Sequence, residues 1–180
     1  MKIKFSTLLF LFALTGAVSQ VPATLQSEVK KLYIACHDID LTALTEMLCV
    51  EDADTYEKLD AYFLNDEQKF RYVQTDAKYN YGEIKTIDGK SYCPITFRNV
   101  VRVTYFKPID VPAKQAELKV KYKAQSVNYN QARNAFMIIY TAKMAAVSQD
   151  GKWTFAFADE TLPLLSGSCL TEEIKTQLGL

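Results

Sequence analysis

Few side chains in this 180-residue sequence carry reaction chemistry: one histidine, His37, followed directly by Asp38, and four cysteines, Cys36, Cys49, Cys93 and Cys169. An imidazole beside a carboxylate suits general acid–base proton transfer, and a tyrosine could complete such a site. The simpler reading puts His37 at a helix C-terminus, where a protonated imidazole interacts favourably with the helix dipole. Nucleophilic catalysis would need this one histidine close to its nucleophile, and no Gly-x-Ser-x-Gly elbow surrounds any serine. Gly-rich phosphate loops and the His-Glu-x-x-His zinc helix are missing as well. Asp52-Ala53-Asp54 begins like a Ca²⁺ loop but lacks the required Gly and distant Glu. No cofactor and no metal are expected.

The cysteine spacings of 13, 44 and 76 contain no Cys-x-x-Cys, against both a zinc site and a thioredoxin-like redox pair. Four cysteines allow three pairings. If Cys36 and Cys49 end two antiparallel helices, a rise of about 1.5 Å per residue sets their sulfurs roughly 10 Å or more apart, too far to bond. Two pairings remain: Cys36–Cys93 with Cys49–Cys169, or Cys36–Cys169 with Cys49–Cys93. Some or all of the four as buried free thiols is the competing reading.

Eleven Tyr and ten Phe supply apolar bodies, the tyrosines with polar tips. Tyr33, Tyr62, Tyr105, Tyr140 and Trp153 are the candidates to line a cavity for a small apolar ligand, though such residues more often fill a core.

The elements that must position these groups follow from periodicity. Leu25, Val29, Leu32, Tyr33 and Cys36 recur at steps of three and four, predicting a helix from Pro22 to about Cys36. Asp40 and Asp54 are expected to cap two more, carried by Leu41, Leu44, Met47 and Leu48, and by Tyr56, Leu59, Ala61, Tyr62 and Phe63. Beyond Asn65 the period becomes two. Phe70 to Val73 reads as a short strand, and Asp88-Gly89 as a hairpin turn joining Tyr79–Ile87 to a long strand, Tyr92 to Phe106. In that strand Ile95, Phe97, Val101, Val103 and Tyr105 share one face, and Thr96, Arg98, Arg102 and Thr104 the wetter one. Residues 107–112, with two prolines, form a connection. For 113–126, alternation of Leu118, Val120, Tyr122 and Ala124 with Lys119, Lys121 and Lys123 favours a strand with lysines outward over a helix begun at Asp110. Asn128-Tyr129-Asn130 is read as a turn, Phe136–Val147 as a central strand, and Asp150-Gly151 as a second hairpin leading to Trp153, Phe155 and Phe157. Asp159-Glu160 and Pro163 end the sheet, and Thr171 caps a short terminal helix.

The 21 Lys and Arg balance 21 Asp and Glu, which excludes the basic footprint of phosphate-driven nucleic-acid binding. Part of that balance belongs to an expected signal peptide at 1–19: Lys2 and Lys4, the apolar run Phe5–Val18, then Ala17-Val18-Ser19, with cleavage between Ser19 and Gln20. The run is shorter than the roughly 20 residues that span a bilayer. The expected mature chain, residues 20–180, is one slightly acidic α+β domain without a transmembrane segment, exported to a periplasm or the extracellular space.

Helices followed by an antiparallel sheet built from hairpins, with an aromatic strand near the end, resemble the NTF2-like (cystatin-like α+β) superfamily over Leu25–Ala158. The chain is also similar in style to small exported proteins of Gram-negative bacteria. The resemblance implies helices packed on a curved sheet as a cone that holds a small molecule, supports Asp/His proton transfer, or is filled by core. Binding of a small apolar ligand or a protein partner, through cone or sheet face, is the expected role; a cavity enzyme using His37, Asp38 and a tyrosine is the alternative, and a structural interaction module a third.

Overall fold

The computed structural model describes residues 21–50, 52–158 and 169–180. The expected leader, and the sheet stop at Asp159-Glu160 and Pro163, lie outside the described residues.

The first third is helical: α1 (Ala23–Asp38), α2 (Leu41–Met47) and α3 (Thr55–Phe63). α1 buries Leu25, Val29, Leu32, Tyr33 and Cys36 on one stripe, as their spacing requires. The Asp40 carboxylate accepts the Ala43 N–H at 3.0 Å and starts α2. Asp54 does not cap α3 through its side chain; its carboxylate pairs with Lys58, one turn on, at 2.8 Å.

Among the described residues seven strands follow: β1 (Gln68–Tyr72), β2 (Tyr79–Tyr81), β3 (Lys85–Ile87), β4 (Lys90–Tyr105), β5 (Ser126–Asn130), β6 (Ala135–Gln149) and β7 (Lys152–Phe157). All their pairings are antiparallel. The long strands β4 and β6 form a spine, in register from Ser91 opposite Ser148 to Thr104 opposite Ala135. Short strands β1, β2 and β3 pair with β4, while β5 and β7 pair with β6. Both expected hairpins form, with positive φ at Asp88 and Gly89 and again at Asp150 and Gly151, the geometry of a two-residue turn that follows strand twist.

Two expectations are corrected between Pro108 and Ala135. Residues 111–121 are a helix, α4 (Val111–Lys121), and not a strand. Asp110 caps it by accepting the Ala113 N–H at 3.1 Å, and Pro112 sits in the first turn, where a missing N–H costs nothing. Leu118 and Tyr122 are buried four residues apart, while Val120 between them is 78 % exposed, so the apparent alternation straddles a helix end. Asn128, Tyr129 and Asn130 belong to β5, and the turn comes later, at 131–134. Asn134 closes it in the left-handed region (φ 45°), donating to the carbonyls of Tyr105 and Lys107 and accepting from the Tyr129 hydroxyl at 2.8–2.9 Å. Asn134→Gly keeps the backbone free to turn but removes all three bonds; a loss of about 2 kcal/mol is expected. Urea denaturation monitored by tryptophan fluorescence checks it.

Helices α1 to α4 cover one face of the sheet, the inner face, where Phe70, Phe97, Val101, Phe136, Ile138 and Phe155 join the main core. On the other face a smaller cluster of Tyr92, Ala145, Val147, Ala156, Leu170 and Leu178 lies under the C-terminal helix α5 (Glu172–Leu178), capped by Thr171 as expected.

Candidate functional site

The space between α1 and the sheet is lined by Val29, Leu32, Tyr33, Cys36, Tyr79 and Phe97 among others, and no part of it is large enough for a water molecule. Around Tyr33, Tyr79 and Phe97 the interior is packed. Tyr33 and Tyr140 are both buried there, joined through Asn99, which is wholly buried on β4. The Tyr33 hydroxyl donates to Asn99 Oδ1 at 3.3 Å, and Asn99 Nδ2 donates to the Tyr140 hydroxyl at 3.1 Å. Tyr62 packs its ring on Phe70, Tyr105 on Phe136, and Trp153 lies partly buried against the same core. The five aromatic candidates therefore contribute to one core, in which Asn99 joins Tyr33 to Tyr140 by hydrogen bonds.

Cys49 and Cys169 are disulfide-bonded, with Cα atoms 6.1 Å apart. Cys36 and Cys93 are free and buried, so the second bond of that expected pairing does not form. Burial pushes the Cys36 thiol up to about 12, the Cys93 thiol to about 11 and the Tyr33 hydroxyl to about 12. The folded state thus holds these protons more tightly than the unfolded chain does. The stability they support is whole below pH 9 and is lost between pH 9, where unfolded thiols ionise, and about 12 for Cys36. Denaturant midpoints are expected to stay level from pH 7 to 8.5 and to fall by pH 11, with a slope of about 1.4 kcal/mol per pH unit for each group titrating.

His37 stands at the end of α1, with Nδ1 2.7 Å from Asp38 Oδ1 and the carboxylate 61 % exposed. Neither residue lines the packed interior or either of two surface recesses, of about 320 and 350 Å³. The Tyr33 hydroxyl, one turn back, is directed to Asn99 instead of the imidazole.

The outer face of the sheet differs in kind. Side chains alternate along a strand, so the residues opposite the core project outward together. On β1 these are Lys69 and Arg71; on β4, Thr96, Arg98, Val100, Arg102 and Thr104; on β6, Met137, Ile139, Thr141 and Lys143. The register sets Arg71 directly opposite Arg102, Arg98 opposite Thr141, Val100 opposite Ile139 and Thr96 opposite Lys143. Five cations thus surround an apolar strip in which Val100 is buried and Met137 and Ile139 are half-buried, and no outward strand position there holds a carboxylate. Glu67 stands just beyond the rim. Among the described residues none of the five forms an ion pair; Arg71 donates only to the Phe70 carbonyl, at 2.9 Å. α5 covers the far end of this face, and between it, the end of α4 and β6 lies the 320 Å³ recess, lined by Lys121, Lys143 and Lys175 among others.

No protein-family model matches the chain, and no curated protein is significantly similar to it.

Arg98 and Arg102 are legible in the sequence as wetter-face residues without a role, and Lys69, Arg71, Lys143 and Asn99 carry no site signal there. One signal was legible. Residues 20–67 hold three Lys against eleven Asp and Glu, whereas residues 68–158 hold fifteen Lys and Arg against six. The neutral total conceals acidic helices set against a basic sheet region. Asn99 gave no such signal, because one amide in an alternating strand reads as a break in the pattern until its two tyrosine partners are known.

Proposed function

We propose that this chain is an exported, non-enzymatic binding domain, an NTF2-like arrangement with a filled cone, that holds a protein partner on the outer face of its sheet. The observation that carries the reading is the contrast between the two faces: on the inner one the space around Tyr33, Tyr79 and Phe97 is too small for a water molecule, and the outer one presents five cations, none ion-paired among the described residues, around a half-buried apolar strip. A site for a small apolar ligand needs an enclosed space, and a concave catalytic site needs convergent groups. The described interior offers neither beside His37. An oxidising compartment agrees with the Cys49–Cys169 bond.

The reading is tested in the producing cell. A photo-crosslinking residue at Thr141 or Asn128, both exposed toward the outer side, is expected to give one discrete protein adduct, and the same residue at Ile34, 51 % exposed on α1, none. Adducts from no outer position, or equal yield from Ile34, overturn it. Intact mass of the exported protein should show residues 1–19 removed.

A further inference from the structure

We infer that the partner seated on this face is an acidic protein segment, its carboxylates held by Arg71, Arg102 and Arg98 and its apolar side chains by the half-buried Met137 and Ile139. The inference rests on the sheet-face reading above and adds the partner's chemistry.

The central observation is the placement of Arg71 directly across from Arg102. Directly opposed residues on adjacent strands lie about 5 Å apart, and like charges in that position destabilise the pair. Burial and the Arg102 charge both lower the Arg71 pKa, in that order, so the repulsion is felt in the folded state. Nothing on the described chain relieves it. A fold with twenty-one carboxylates could have set one between these strands, and the register of β1 on β4 sets none there. An arrangement that costs stability when the face is empty, and that one carboxylate bridging two guanidiniums reverses, is the pattern of a binding surface.

The rest of the face fixes the class. Three guanidiniums present flat donor forks that match carboxylates two at a time, which an ammonium does not. Met137 and Ile139 between them are apolar and half-exposed, so a polyanion without apolar side chains would leave that part of them uncovered. Phe106, 52 % exposed and continuing the outward register just past β4, supplies one aromatic anchor at the end. Nucleic-acid single strands call for several stacking aromatics, and a lipid surface for a row of large apolar side chains. The face has one such residue.

The test uses the disulfide-intact mature chain and three twelve-residue peptides that alternate Val with Glu, Gln or Lys. Binding is read by fluorescence anisotropy at low and at physiological salt. The Glu peptide is expected to bind at least tenfold more tightly than the Gln peptide, with the Lys peptide not binding, and to weaken severalfold as salt rises. Arg71→Gln and Arg102→Gln should each cut affinity for the Glu peptide at least fivefold while leaving the melting midpoint unchanged or higher; Lys30→Gln, exposed on α1, should change neither. A merely structural role for the arginines would lower the midpoint along with the affinity. Equal affinity for the Glu and Gln peptides, no effect of the arginine substitutions, or binding to phosphatidylglycerol vesicles without binding to the Glu peptide overturns the inference. If the Thr141 crosslink still captures a protein, the sheet-face reading survives and only the acidic chemistry falls. If neither experiment succeeds, both fall.

Discussion

Replacing Cys49 and Cys169 together by serine is expected to cost roughly 2–4 kcal/mol, among the largest effects of any surface-proximal change in this chain. The bond joins residues separated by 120 positions, and the chain-entropy model puts closure of so long a loop at about 5 kcal/mol, the upper bound. Its position decides what loosens first. Cys49 follows α2, where its N–H donates to the Phe155 carbonyl at 2.8 Å and Leu48 bridges the same residue on edge strand β7. Cys169 opens the segment that leads into α5. The crosslink therefore fastens α5 to the far side of the sheet, over Tyr92, Ala145, Val147 and Ala156. A seven-residue helix has no stability of its own, so α5 depends on that docking. In the double serine variant, amide exchange should accelerate first at 172–178 and near Cys49, before β4 and β6 respond. A hydrophobic dye should report the uncovered patch. If the urea midpoint is unchanged and α5 stays protected, the clasp contributes nothing to stability and the docking is set by the apolar contacts of Leu170, Ile174, Leu178 and Leu180.

Where one local rule acts without competition, the sequence was enough. The three-and-four spacing from Leu25 to Cys36 became the buried stripe of α1, Asp40 became a cap, and Asp88-Gly89 and Asp150-Gly151 became hairpins, because each is decided within a few residues. The strand reading of 113–126 failed where two local rules conflicted. Alternation from Leu118 to Ala124 argued for a strand, while the Asp110 cap and the Ala, Gln, Glu and Lys content argued for a helix; propensity and capping prevailed, since only Leu118 of α4 is buried. The functional face was hidden for another reason. Arg98 and Arg102 were visible as outward residues, but Arg71 lies about thirty positions away, and only the register of β1 on β4 makes it the neighbour of Arg102. A composition total averages over such pairs. Likewise the Cys49–Cys169 bond was one of two open pairings until strand β7 brought both ends of the chain to one edge of the sheet.

Asn99 offers the second large effect, and two substitutions separate its contributions. Its amide is wholly buried between Tyr33 and Tyr140, surrounded by apolar neighbours such as Phe97 and Val101. Asn99→Leu replaces it by an apolar group of similar size and removes both hydrogen bonds, leaving two tyrosine hydroxyls to lose those partners in the core. A cost of about 2–4 kcal/mol is expected, the same at pH 4 and pH 7, since nothing titrates. Asn99→Asp keeps the shape but introduces an ionisable group where the charged form is strongly disfavoured. Its folded-state pKa must lie above that of the unfolded chain, about 3.9, so the folded form binds the proton more tightly and stability falls as pH rises through that window. At pH 7 the variant pays for either a buried carboxylate or an uphill protonation, and a loss exceeding about 3 kcal/mol is expected. Below about pH 4 the neutral acid can both donate and accept, and most of the loss should return relative to the parent chain at the same pH. Urea midpoints for the parent and both variants at pH 4, 5.5 and 7 give the comparison. A flat profile for Asn99→Asp would mean that the tyrosine hydroxyls stabilise the anion fully. The Tyr33–Asn99–Tyr140 chain would then be a built anion site within the core, and the packed interior would have to be reconsidered as a place where a charged ligand atom can be held.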